Sequence, residues 1–419
     1  MKLTHYIYAL LTVTGLSGCG DFLEQYSQDT DYVKTWTDLN ELLLGDCYTP
    51  VNNTSSFFNY SNKGMFLHFL ADELEEQTSS LGGTQGFDTH EYSYGYRTWA
   101  QRTGTNENYT GFYTEIQAWT QMYKYINVAN NIIASADDVP QVTDEEKAGV
   151  NYVKGQAHFL RAWYLFWLTN VYGQPYSPST ASTELGVPVK TTKEGVDIKY
   201  QRNPVQECYD QILSDLNAAE TEYKAVGSRI SRKSIYRADS VSVLLLTSRV
   251  YLYMQNWQKA AEYARRVIAA HPQLQDLNGD AEAFMTVDNP ETIFSMGGDD
   301  ITADMDCNIK QMRVSKSLYD SYGDNDLRKS KWFWKHGNFQ GLTTHNDKTE
   351  SGYYFYNYEN FSDKRSISSL FWLRSGEAYL NLAEAEAYMG NDEVARDAVN
   401  TLRKARFYKG AAEAKLTSS

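Results

Sequence analysis

Three clusters of aromatic side chains set among polar ones are the residues of this chain best suited to chemistry, and that chemistry is recognition rather than bond making. Tyr92, Tyr94, Tyr96, Arg97, Trp99 and Arg102 form the first. Trp332, Phe333 and Trp334 form the second, between Lys331 and Lys335, and Tyr353, Tyr354, Tyr356 and Tyr358 the third. A flat ring offers an apolar face on which the C–H face of a sugar can stack, while Asn, Asp, Arg or Tyr at its edge can serve hydroxyl groups. The binding candidates are therefore Tyr96, Arg97, Trp99, Trp332, Trp334 and Tyr354. Packing of a long loop onto helices would use Trp99 equally well; Arg97 and the polar residues around it favour binding. Trp332 and Trp334 stand two apart, a spacing that predicts one exposed face of an extended segment, and the alternating tyrosines predict a half-buried strand.

Catalytic patterns are missing from the chain. It contains no His-Glu-x-x-His, no phosphate loop, no Gly-x-Ser-x-Gly elbow and no Cys-x-x-Cys, so metalloprotease, nucleotide and simple hydrolase readings lack their groups. A glycosidase carboxylate pair is not decided by sequence. The expectation is a protein that is not an enzyme and needs no cofactor. Asp299, Asp300, Asp304 and Asp306, and the run Asp276 to Asp280, offer oxygen ligands without complete calcium-loop spacing, so solvated carboxylates are expected rather than a metal site. Leu81 to Gly86 is a Gly-rich turn with no helix signal after it, read as plain loop.

These clusters lie in long stretches between helical blocks. From Ile116 to Ser135, Trp119, Met122, Ile126, Ala129 and Ile133 make one apolar stripe. Thr143 to Glu146 is a capping box that opens a second helix through Ala157, Leu160, Tyr164, Leu168 and Val171, stopped by Gly173 and Pro175. Asn203-Pro204 predicts a third, with Asn as cap and Pro in the first turn. Beyond Asp239, Leu244, Ser248, Tyr251, Ala260, Ala264, Val267 and Pro272 fall at the spacing of a tetratricopeptide helix pair. Tyr253-Met-Gln-Asn256 followed by Ala260 recurs as Tyr388-Met-Gly-Asn391 followed by Ala395. The fold class expected is mainly α: tetratricopeptide-like helix pairs in a right-handed scaffold, with long irregular aromatic-rich insertions at Pro50–Gly111 and Gln273–Ser368. Trp119, Trp163, Trp167 and Trp257 sit inside helical periods and are expected in the core.

Composition and the opening residues bound the compartment and the partners. The 419 residues carry a net charge of -14, which argues against a nucleic-acid partner. The hydrophobic share of 42% and mean hydropathy of -0.55 describe a soluble globular body. Tyr is abundant at 33 residues, a type at home both on binding surfaces and in cores. Lys2 precedes an apolar run from Tyr6 to Leu16 too short to span a bilayer, ending in Leu16-Ser17-Gly18-Cys19. That is the form of a lipoprotein signal over residues 1–18, with Cys19 as the lipid-attachment residue and residues 19–419 as one unit anchored by acyl chains. Cys47, Cys208 and Cys307 then remain, so at most one disulfide is possible.

Longer blocks carry a resemblance to a known family. After Cys19 come Asp21-Phe-Leu-Glu24 and, later, Leu70-Ala-Asp-Glu73. Trp119, Tyr123, Ile126, Ala129 and Asn130 follow, then Gln156-Ala-His-Phe-Leu-Arg-Ala-Trp-Tyr164 leading to Tyr172-Gly173. Leu244 to Tyr253 with Trp257 and Ala260-Ala261 is similar again, as is Leu373-Arg374 through Glu377, Tyr379, Asn381 and Ala383-Glu-Ala385, then Asn400 and Arg403. Together these resemble the SusD/RagB family of outer-membrane nutrient-binding lipoproteins, from Cys19 to about Phe407. The resemblance implies a surface-exposed outer-membrane protein that takes up oligosaccharides and delivers them, as a closing lid, to a SusC-like TonB-dependent transporter. Peptide binding on the same fold, as in the RagB branch, stays open, and so does a helical-repeat scaffold without a small ligand. Members of the family usually continue past the last helix, so the chain is expected to be truncated, leaving Leu402 uncovered.

Overall fold

The computed structural model describes residues 33–49, 70–76, 95, 98–100, 114–193, 199–230, 234–280, 284–296, 312–335, 353–355, 367 and 371–417. A short helix, α1 (Trp36–Leu42), opens with a Thr35/Asp38 capping box and runs into a π-helical turn over Leu43–Cys47. Behind it stand α2 (Thr114–Ser135) and α3 (Asp144–Tyr172). At α3 the expected capping box is formed: Glu146 N–H donates to Thr143 Oγ1 at 3.1 Å, and Thr143 N–H donates back to Glu146 Oε2 at 2.8 Å. Gly149 on α3 is where α1 lies closest, since a Cβ there would stand 2.2 Å from the Trp36 ring. Trp163 and Tyr164 are wholly buried at the centre of the molecule, and Trp167 packs edge-on against Phe371 at 5.7 Å.

Next comes α4 (Val205–Val226), which starts one residue later than its capping signal predicts. Asn203 does not cap it. Its amide is drawn elsewhere, accepting from Val189 N–H at 2.9 Å and donating to Glu207 at 2.7 Å, which leaves Pro204 at the cap position. Between α3 and α4, buried Asp215 accepts from Arg161 Nε at 2.9 Å, Arg161 Nη2 at 2.5 Å and Gln211 Nε2 at 3.1 Å, and lies 2.8 Å from His158 Nδ1. Arg161 also donates to Asn130 on α2 at 2.8 Å, so one guanidinium joins three helices.

The repeat read from sequence is a repeat of structure. Helices α5 (Ser240–Tyr253) and α6 (Trp257–Ala270) form one hairpin. The second is formed by the last two helices, α9 (Ser375–Tyr388) and α10 (Asp392–Lys404), named in chain order after the two short helices described below. Ala260, Ala261 and Ala264 of α6 pack against Leu382, Ala383 and Ala385 of α9, and these small side chains let the helices approach closely. Arg249 of α5 grips Glu377 of α9 through two bonds of 2.6 and 2.7 Å. Each hairpin turns through a left-handed residue at the same repeat position, Gln255 (φ 59°) in one and Gly390 (φ 79°) in the other. Trp257 proves only half-buried: its ring stacks on exposed Tyr388 at 4.1 Å, nearly parallel, at the edge of this smaller core.

The second insertion, expected to be irregular, holds regular elements where it is described. Strand β2 (Thr292–Ser295) pairs antiparallel with β6 (Trp372–Arg374). Short helices α7 (Lys316–Ser321) and α8 (Leu327–Lys331) lie between them in sequence, and three further strands join one from the first insertion. Leu402 is not left uncovered. It is half-buried beside Gly376, and the residues after α10 are pinned back along the body, with Leu327 N–H bonded to Arg406 O at 2.9 Å and Tyr408 N–H to Asn325 O at 3.0 Å.

Candidate functional site

A four-stranded antiparallel sheet gathers the two insertions. Its order is β1 (Leu74–Glu76), β3 (Met312–Val314), β5 (Tyr353–Phe355), β4 (Phe333–Lys335). β1 comes from the first insertion and the other three from the second. The junction is reinforced outside the strands, where Ser315 Oγ donates to Asp72 O at 2.5 Å and Ser315 N–H to Glu73 O at 2.8 Å. The backbones of two binding candidates pair here: Trp334 of β4 and Tyr354 of β5 are register partners. The expected tyrosine strand is formed over Tyr353–Phe355.

Trp332 departs from its expected place. Its exposure is 7%, and its ring lies 4.7 Å from Phe284. The reason is local: Trp332 closes α8, its N–H bonded to Arg328 O at 2.9 Å, and the strand begins only at Phe333. The two-residue spacing of an extended segment therefore does not apply between Trp332 and Trp334. Trp332 is a packing residue, and no exposed face is shared through it. Phe333 is buried as well, against Tyr319 and Tyr322 of the α7 region at 5.6 and 5.2 Å. Burial pushes the Tyr322 phenol up, against the pull of nearby Arg328.

Trp99 has the opposite character. It is 71% exposed and its backbone is left-handed, with φ of 51°. A bulky L-residue in that region costs on the order of 1–2 kcal/mol. A large apolar ring thus stands in water on a backbone that resists the conformation. Ala100 N–H bonds back to Gly95 O at 2.9 Å, which closes the turn beneath it. Tyr96, Arg97 and Cys19 lie outside the described residues, as do the Asp299 to Asp306 run and Cys307. Cys47 and Cys208 are buried free thiols, each pushed up by burial.

Two features were not singled out from sequence. One is a shallow cleft of about 380 Å³ lined by Val189, Asn203, Glu207, Asp210, Gln211 and Ser214 on the outer side of α4; it contains no aromatic ring and has no counterpart among the expected clusters. The other is a set of arginines around Phe284, Trp332 and Trp372, close to the sheet. Arg328 lies over Tyr322 at 4.7 Å and Trp332 at 5.9 Å, and Arg374 over Phe284 at 5.3 Å and Trp372 at 5.1 Å. Arg374 was visible only as part of a helical signature block.

Known proteins share this architecture and part of the sequence. Residues 51–252 match the model of a SusD-like family described as starch-binding and associating with the outer membrane. Nearly half of the chain thus matches a SusD-like family model. Solved SusD-like structures superpose on most of its length. One is a SusD-like carbohydrate binding protein from Bacteroides vulgatus, at TM-score 0.70 and 20% identity over 92% of this chain and 77% of that one. A SusD superfamily protein from Bacteroides thetaiotaomicron gives 0.68 and 19% over 90% and 81%. Surface glycan-binding protein A from Bacteroides fluxus gives 0.64 and 18% over 91% and 84%. At these identities the SusD-like structures establish the fold. No curated protein sequence matches the chain.

Proposed function

We propose that this SusD-like protein captures oligosaccharides at the outer surface of the cell, on an aromatic platform built by its two insertions, and passes them to a SusC-like TonB-dependent transporter. The observation that carries the reading is Trp99, an exposed indole on a strained backbone. The sheet supports it by placing Trp334 and Tyr354 opposite one another on neighbouring strands. The family's description as starch-binding and the carbohydrate-binding and glycan-binding names of the structural relatives agree with it. Acylation at Cys19 would hold the protein to the membrane, and binding followed by closure over the transporter requires no bond making.

The test is a glycan-array screen on protein lacking residues 1–19, followed by calorimetric titration of each hit. Loss of a stacking ring costs about 1–3 kcal/mol by analogy with other ring-stacking contacts, so Trp99→Ala is expected to weaken a hit roughly 5-fold or more. A folded protein that binds peptides and no glycan would overturn the reading, and so would glycan affinity indifferent to Trp99.

A further inference from the structure

The arginine set beside the sheet has a charge balance at odds with that of the chain as a whole, whose net charge is -14. Four guanidiniums, those of Arg328, Arg374, Arg403 and Arg406, are linked through the rings of Phe284, Trp332, Trp372, Tyr322 and Phe407. Among the described residues, the carboxylates paired with them are Asp326 and Glu291, so positive charge is in excess. The four are not equivalent. Arg406 is buried and bonded to Glu291 Oε1 and, at 2.6 Å, to Gln275 O. Arg328 forks onto buried Asp326 through bonds of 2.9 and 2.6 Å. Arg403 gives one nitrogen to Glu413 O.

Arg374 differs from the other three. Among the described residues its guanidinium makes no hydrogen bond, and its one ionic contact is Glu291 Oε2 at 3.6 Å. Its side chain is 29% exposed, and it ends strand β6 at the cap position of α9. The rings of Phe284 and Trp372 hold it in place, which lowers the entropy lost when its edge engages a ligand. An oriented guanidinium with unspent N–H groups matches a planar carboxylate, to which it can donate two parallel bonds. The excess positive charge around it disfavours a neutral ligand that would leave that charge unanswered.

We infer that the oligosaccharide taken by this protein is acidic, a chain containing hexuronic acid whose carboxylate is bound by Arg374. This rests on the glycan reading above and sharpens it from sugars in general to one class. A sulfate ester presents related chemistry, and the experiment separates the two.

Protein lacking residues 1–19 is titrated with oligogalacturonate, with neutral malto- and xylo-oligosaccharides of equal length, and with a sulfated oligosaccharide. The expected result is oligogalacturonate bound at least tenfold tighter than either neutral chain, weakening as salt is raised from 0.05 to about 0.5 M as screening predicts. Arg374→Gln is expected to remove that preference, a loss of roughly tenfold or more, as for a lost charge-assisted bond. Arg374→Lys keeps the charge beside Glu291 and removes the fork, so it guards against misfolding; a melting curve like that of the wild type with the preference reduced supports the assignment. Neutral glycans bound as tightly as oligogalacturonate, or a preference unchanged in both variants, would overturn it while leaving the glycan reading intact. A preference for the sulfated chain alone would overturn the uronate assignment. Binding of no glycan of any kind removes both.

Discussion

Asp215 is the residue whose removal tests the helical scaffold most sharply. Its carboxylate is buried between α3 and α4 and held by Arg161, His158 and Gln211. In Asp215→Ala the Arg161 guanidinium, itself buried, is left with Asn130 as its remaining partner among the described residues. Breaking such a pair costs about 3–5 kcal/mol, because an uncompensated charge stays inside. Unfolding entropy near 60 °C is about 2.1 cal/mol/K per residue, or about 0.9 kcal/mol/K for a chain of 419 residues unfolding as a unit. The expected fall in melting temperature is therefore about 3–6 °C, read by calorimetry or circular dichroism at neutral pH. The double variant Arg161→Met, Asp215→Ala should be less destabilised than the two single losses added together, by about 1–3 kcal/mol. Burial opposes ionisation of Asp215, but the bonds from His158 and Arg161 outweigh it and hold the group below its ordinary value of 3.8. Its contribution is present above that value and is lost as pH falls through the lower folded value, so the gap between wild type and Asp215→Ala should narrow in strong acid. A shift under about 1 °C at neutral pH, or strict additivity of the two single changes, would refute this account.

Other changes test other parts. Trp332→Ala should lower stability by about 3–5 kcal/mol, the usual cost of deleting a buried indole, as measured by urea unfolding; unchanged stability with weakened glycan binding would restore it to the ligand site. Gln255→Gly relieves a left-handed residue at the turn where its repeat partner is already Gly390, and should raise stability by about 0.5–1 kcal/mol. A drop in melting temperature would mean the Gln255 side chain stabilises the turn. Cys47 and Cys208 should resist a thiol reagent at pH 8 in the native protein and react fully in denaturant, because burial pushes both thiols up. Rapid native labelling of either would contradict their burial.

Much of the scaffold was legible because its determinants are local. The capping box at Thr143, the small residues at Ala260 and Ala264, and the repeated Tyr-Met-x-Asn turn each act within a few residues, and each stands where its spacing placed it. Asn203 does not serve as the cap its position predicts, because Val189, distant in sequence, competes for its side chain. The site was less legible for the same reason on a larger scale. Strands of three residues carry almost no periodic signal, and the register of Leu74 with Val314 is a property of two segments no local pattern connects. Trp332 resembles part of an extended run because a helix of five residues is too short to show its period. Arg374 hid within a block that looked purely helical; only the rings around it reveal its isolation.

The sheet that joins the insertions has a kinetic consequence. β1 pairs with β3 across a separation of some 240 residues, and few bonds reward the closure. Helix hairpins such as α5 with α6 close over short turns and can form early, whereas contacts of such high order come late. The platform should thus be the last part to assemble and, with few bonds holding it, the first to open. Opening of that kind need not unfold the helices: hydrogen exchange in β1 and β3 should be faster than in α3. A binding surface that can dissolve and re-form on a persistent helical frame can exchange its insertions over evolutionary time without re-solving the folding of the whole chain.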